Sequence, residues 1–115
     1  MITFKGVDPR MIANNLTPYE PIHPGEIIKD EIEYRGISQR ELSSKIGVSY
    51  TQVNEILNGK RAINTDFALR IEAALGIDAN IFINMQTRYN MQVARQDKSL
   101  TERLDAIRGL CASLL

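Results

Sequence analysis

Cysteine occurs once, at Cys111, so the chain can form no internal disulfide and no cysteine-built zinc site. Histidine also occurs once, at His23, flanked by Pro21 and Pro24. No serine or cysteine pairs with it in any pattern that would support a nucleophilic triad or dyad. A cap or a surface position is its expected role. Glu31 and Glu33 are two apart on a helical pattern and do not converge. Metal-ligand spacings and phosphate-cradling glycine loops are absent. The expectation is a protein with no catalytic residue, no metal and no cofactor, and therefore not an enzyme. No apolar run is long enough to span a bilayer, and no signal-peptide pattern is present. The expected location is cytoplasmic, in a chain of bacterial style with no internal repeat or low-complexity tract. Net charge is missing too: 14 basic side chains balance 14 acidic ones. That argues against a basic coat for tight non-specific binding of nucleic acid. A length of 115 residues suits one domain that can fold alone.

The charge is nevertheless segregated. From Ser38 to Arg61, Arg40, Lys45, Lys60 and Arg61 oppose Glu41 and Glu55, a net of plus two. From Glu26 to Arg35, Lys29 and Arg35 oppose Glu26, Asp30, Glu31 and Glu33, a net of minus two. The basic part coincides with the most organised stretch, Ile37 to Ala62, which reads as two short helices joined by a tight turn. Ser38 is a good N-cap, and Glu41 three residues on completes a capping-box pattern. Leu42 and Ile46 share one helical face. Gly47 can end this helix in the left-handed conformation, Val48 plugs the corner, and Ser49 caps the next helix. Val53, Ile56 and Leu57 are the inner face of that second helix, and Asn58-Gly59 closes it.

The outer face carries the functional reading. Ser49, Tyr50, Thr51, Gln52, Asn54 and Glu55 can all donate or accept hydrogen bonds, and they occupy the first two turns of the helix. A major groove admits one helix, and its base edges are read by side chains of this kind. Lys60 and Arg61 follow directly, with Asn58 before them, placed to meet phosphate. Gln39 and Arg40 open the first helix of the pair, where backbone N–H groups and the helix dipole favour phosphate. The layout, over residues 38–58, is that of a helix-turn-helix reader of double-stranded DNA. Any surface helix is polar outside; here, two caps, Gly47 and the basic exit occur together.

Around this unit the chain divides into three parts. Residues 1–24 form an arm. Asp8-Pro9 starts a short helix to about Asn14, and Pro18, Pro21 and Pro24 keep Thr17 to His23 extended. The arm reads either as a surface segment or as one that embraces a partner. Residues 25–95 hold five helices. The first, Gly25 to Arg35, turns Ile27, Ile28, Ile32 and Tyr34 inward, with Lys29–Glu33 and Glu31–Arg35 as surface pairs and Gly36 as its stop. Asn64 caps the fourth helix, Thr65 to Leu75, which buries Phe67, Ala68, Ile71 and Leu75 and ends at Gly76. Asp78 caps the fifth, Ala79 to about Arg95, with Ile81, Phe82, Met85 and Tyr89 as its stripe. Residues 96–115 follow a polar break, with Ser99 capping a last helix. Leu100, Leu104, Ile107, Cys111 and Leu114 recur in steps of four and three, a heptad seam. Two heptads are too few for an isolated coiled coil. The seam either docks on its own domain, pairs with a second subunit, or is covered by another protein. The fold class is all-α: a five-helix phage-repressor-like domain with an N-terminal arm and an additional C-terminal helix.

Ser38-Gln39, Leu42-Ser43, Gly47-Val48-Ser49, Val53, Ile56 and Asn58-Gly59-Lys60 resemble the helix-turn-helix of the XRE/Cro/C1 phage-repressor superfamily. His23-Pro24-Gly25-Glu26, Arg61-Ala62-Ile63, Asn64 to Ile71 and Met85-Gln86-Thr87-Arg88-Tyr89 are more specific. Together they resemble the HigA (VapI-type) antitoxins of bacterial toxin–antitoxin systems, over roughly His23 to Met91. The chain departs at Phe82, Met85, Asn90 and Ser43, where the family often has tryptophan, leucine, aspartate and alanine. The resemblance implies a homodimeric repressor of its own operon that also neutralises a small basic RNase toxin of the RelE/HigB kind, an mRNA-cleaving enzyme. Two other readings stand beside it: a stand-alone XRE-family transcriptional regulator, and a protein–protein module without DNA function. The near-zero net charge, Glu55 on the reading face and the heptad tail favour the latter.

Overall fold

The computed structural model describes residues 20–115, and every regular element among them is helical. Six α-helices follow in order: α1 Pro24–Arg35, α2 Gln39–Ile46, α3 Tyr50–Leu57, α4 Thr65–Leu75, α5 Ala79–Gln96 and α6 Lys98–Leu110. A short 3-10 turn, Ala112–Leu114, ends the chain. The short helix expected from Pro9 to Asn14 lies outside the described residues.

Local chemistry sets the helix ends. Ser38, Ser49, Asn64 and Asp78 each accept a backbone N–H from the first turn of the helix they open. Gly36, Gly47 and Gly76 stop α1, α2 and α4 in the left-handed conformation. The capping box is half formed: Ser38 Oγ accepts the Glu41 N–H at 3.0 Å, but the Glu41 carboxylate pairs with Lys45 instead. α1 begins at Pro24 rather than after it. Proline fits the first helical position because its missing N–H would have no intrahelical partner there.

One core joins α1 to α5. Ile28 and Ile32 of α1 meet Leu42 and Ile46 of α2, Val53, Ile56 and Leu57 of α3, Phe67, Ala68, Ile71 and Leu75 of α4, and Phe82 of α5. Val48 packs against it from the corner between α2 and α3. Three expected core positions are outside: Tyr34 is 89% exposed, and Ile27 and Ile81 also face solvent. The apolar stripe of α1 is narrower than its composition suggests, because only Pro24, Gly25, Ile28 and Ile32 of α1 are buried. Of the two α1 surface pairs, Glu31–Arg35 forms at 2.7 Å. Lys29 turns instead to Asn58 Oδ1, 3.3 Å away.

α6 stands apart. Asp97, not Ser99, is its N-cap; its carboxylate accepts the N–H groups of Ser99 and Leu100. An Asp carboxylate is charged and meets two donors, which a serine hydroxyl does less well. No residue of α6 is buried. Leu100 and Leu104 are half-covered, Ile107 is 52% exposed, and Leu114 sits in the 3-10 turn at 80%. The helix therefore does not dock on its own domain's core. The radius of gyration, 18.3 Å, exceeds the roughly 13 Å of a compact 100-residue domain. No helix among the described residues is long and apolar enough to cross a membrane.

Candidate nucleic-acid interface

α2 and α3 place the expected readers and anchors on one outer surface. Val53, Ile56 and Leu57 are buried, which turns Tyr50, Thr51 and Asn54 outward. Ser49 is held by its own capping bond to the Gln52 N–H at 3.1 Å, so its hydroxyl serves the helix first. Arg40 lies over the Tyr50 ring, its guanidinium carbon 4.3 Å from the centroid. Asn54 Nδ2 donates to Gln39 Oε1 at 2.9 Å. Both Nε and Nη2 of Arg61 donate to Glu55 Oε1, at 2.9 and 2.7 Å. Three side chains expected to read bases are thus each joined to one expected to bind phosphate. Asn58 is likewise engaged: its Nδ2 donates to the Asn54 carbonyl, and its Oδ1 accepts from Lys29. Gln52 is half-buried, and Lys60 is exposed.

The loop that carries Lys60 and Arg61 is held from behind by two buried polar residues whose role was not evident from their neighbours in sequence. Gln86 of α5 accepts the Ile63 N–H at 2.8 Å and donates to Asn90 Oδ1 at 2.9 Å. His23 is a cap, as expected, but a buried one. Its Nδ1 accepts the Gly25 N–H at 2.9 Å, its ring meets Tyr89 of α5 edge-on at 4.9 Å, and its side chain packs beneath Gly59 of the exit loop. Burial pushes its pKa below 6.5; the negative charge of Glu26 and the Arg61 backbone oppose that shift without cancelling it. Gly25 lies so close to the end of α3 that a Cβ there would fall 1.8 Å from the Ile56 carbonyl oxygen. His23-Pro24-Gly25 is therefore a joint: a cap, a helix start and a close backbone approach that sets α1 against the reading helix and its exit loop.

The core, the capped pair and the outward row on α3 define the class: a helix-turn-helix protein of the DNA-binding type. The helix-turn-helix family pattern matches residues 28–82. Virulence-associated protein I of Dichelobacter nodosus is 42% identical over 78 residues, 67% of this chain and 72% of that protein. A HigA-family addiction module antidote protein from Coxiella burnetii superposes with a TM-score of 0.67 at 31% identity, covering 76% of this chain and 94% of that one. The Pseudomonas aeruginosa antitoxin HigA, solved with the higBA promoter, superposes at 0.63 with 35% identity, covering 66% and 84%. The chain belongs to the XRE-type helix-turn-helix family, in the branch that holds the VapI-like proteins and the HigA antitoxins.

Proposed function

We propose that the protein is an antitoxin and repressor. It binds its own operator through α3 and neutralises a small basic mRNA-cleaving toxin of the RelE/HigB kind. The observation that carries the DNA half is the outward row Tyr50, Thr51 and Asn54 on a capped helix, flanked by Arg40, Lys60 and Arg61. α3 enters the major groove. Tyr50, Thr51 and Asn54 meet base edges, while Arg40, Lys60 and the α2 N-terminus meet phosphates on either side. A HigA relative solved with its promoter supports the same use of the fold. The protein works as a homodimer on two half-sites, and the unburied stripe of α6 supports that helix as a contact, either with a second copy or with the toxin. The Glu55–Arg61 pair favours a second reading, a protein–protein module that has kept the fold, since it withdraws one cation from the DNA surface. Affinity for the DNA upstream of the gene, titrated with salt against a scrambled duplex, separates the two. Preference for the upstream duplex is expected; equal, weak binding to both would remove the repressor assignment. Co-expression with the adjacent reading frame tests the toxin half, through a stable complex and restored growth.

A further inference from the structure

We propose that Gln86 is a positioning residue for phosphate binding: by accepting the Ile63 N–H, it holds the loop after α3 where Lys60 and Arg61 can meet the DNA backbone. The inference rests on the operator-binding reading above. The loop, residues 58–64, has little packing of its own: Asn58, Lys60, Arg61, Ala62 and Asn64 are all exposed. Its start is tied to α3, where the Lys60 N–H donates to the Glu55 carbonyl at 2.8 Å. That bond closes the turn at Gly59 but leaves the chain after Lys60 free to swing. The second tie stops the swing. Three residues on, the Ile63 N–H donates to Gln86 Oε1 at 2.8 Å, which fastens the far end of the loop to α5.

A buried amide is costly unless both its ends are paired. Gln86 is 6% exposed, and both ends are used: Oε1 takes the Ile63 N–H, and Nε2 donates to Asn90 Oδ1 at 2.9 Å, one turn further along α5. An apolar side chain of similar volume would fill the same space in the core. It could not accept the Ile63 N–H. Ile63 is itself buried, so that N–H would be left away from water unless the loop moved outward to hydrate it. α5 backs the loop at a second point. His23 lies 3.6 Å from where a Cβ on Gly59 would stand, and Tyr89, three residues after Gln86, supports the His23 ring. The loop that bears the cations is thus shaped from behind by a helix that does not itself reach the DNA.

The test titrates the upstream duplex and a scrambled duplex with salt, using the full chain, Gln86→Met, Gln86→Asn, Gln86→Glu, Lys60→Ala and the Gln86→Met/Lys60→Ala double variant. Thermal unfolding establishes that each is folded at the assay temperature, and amide hydrogen exchange reads the Ile63 N–H directly. Methionine has no acceptor, and asparagine is one methylene too short. Both variants should lose exchange protection at Ile63, bind both duplexes several-fold more weakly, and lower the salt slope by roughly one unit. Lys60→Ala should then lower the slope by less in the Gln86→Met background than in the native chain. Gln86→Glu keeps the acceptor, and the exposed Asn90 amide can turn to donate to it, so Ile63 protection and the salt slope should stay native. A role in stability alone would leave the slope of a folded variant unchanged, and that result overturns the proposal. So would a loss confined to one base sequence, full additivity with Lys60→Ala, the same fall in slope in Gln86→Glu, or failure of both Gln86→Met and Gln86→Asn to fold. If the native chain binds neither duplex, the operator-binding reading fails and takes the proposal with it. If the native chain prefers the upstream duplex and folded Gln86→Met binds it with native affinity and slope, only the proposal fails.

Discussion

Protonation of His23 would remove the acceptor that caps α1 and place a charge in a buried pocket beside Tyr89. Its pKa is lowered in the folded chain, so the unfolded chain binds more protons between the folded value and 6.5. The stability contributed by this group is complete above 6.5 and is lost as pH falls through the folded value. Urea melts from about pH 7.5 to about pH 5 should therefore show falling midpoints, and His23→Asn, which keeps an acceptor for the Gly25 N–H, should flatten that slope. An unchanged slope in the variant would assign the acid sensitivity elsewhere. Two neighbouring glycines make a sharper comparison. Gly36 has open space where a Cβ would go but a φ of 73°, so Gly36→Ala should cost about 1–2 kcal/mol of backbone strain. Gly25 has ordinary helical geometry but no space, and the atom in the way is the Ile56 carbonyl. Gly25→Ala should cost about 1–3 kcal/mol or more and, by displacing α3, should weaken DNA binding beyond what the stability loss explains. Equal affinity in the folded variant would show that α1 does not set the reading helix.

At the scale of the element, operator binding as proposed divides the work of α3 and its exit loop between charge and hydrogen bonds. Lys60 is exposed and basic, so Lys60→Ala should weaken binding about equally on all sequences and lower the salt slope by roughly one unit. Glu55 pairs with Arg61 at 2.7 Å. Glu55→Gln should release Arg61 toward phosphate, tighten binding at every site and steepen the salt slope by roughly one unit. A change confined to one base pair would instead make Glu55 a reader of cytosine. Helices of this kind were legible in the sequence wherever the signal is local. Ser38, Ser49, Asn64 and Asp78 cap through bonds that span two or three residues, and glycine ends the turns that need a positive φ. Signals that depend on distant partners were not legible. Gln86 meets Ile63 across 23 residues, and Gln39 meets Asn54 across 15. Tyr34 and Ile81 fit a helical stripe, yet both are exposed among the described residues. Asp97 closes α5 and opens α6 at once, a double role that the separate cap pattern at Ser99 masks in the sequence.

At the scale of the whole molecule, one protomer offers one reading helix, and a second is needed to recognise two half-sites about 34–36 Å apart, or a multiple of that. The described chain measures 54 × 38 × 21 Å, long enough for a terminal helix to reach beyond its own core. α6 and the residues after it leave Ile107, Leu110, Leu114 and Leu115 exposed, a cost that a monomer has no evident reason to bear. Its seam is shorter than the heptad spacing suggests, because the α-helix ends at Leu110 and Leu114 belongs to the 3-10 turn. Leu100, Leu104 and Ile107 remain as a continuous helical stripe, too small to hold two isolated helices together; the expected homodimer is built from α5, α6 or both. Removal of Ser99 to Leu115 deletes that stripe and leaves the core of α1 to α5 intact, so the truncated chain should stay folded while its dimer dissociates at lower dilution. Sedimentation of both forms over a concentration series measures this, and operator titrations should show the truncated chain losing affinity for the paired half-sites far more than for a single one. An unchanged dimer after truncation would move the interface to α5 alone. A full chain that remains monomeric at every concentration would overturn the dimer and, with it, the two-half-site geometry.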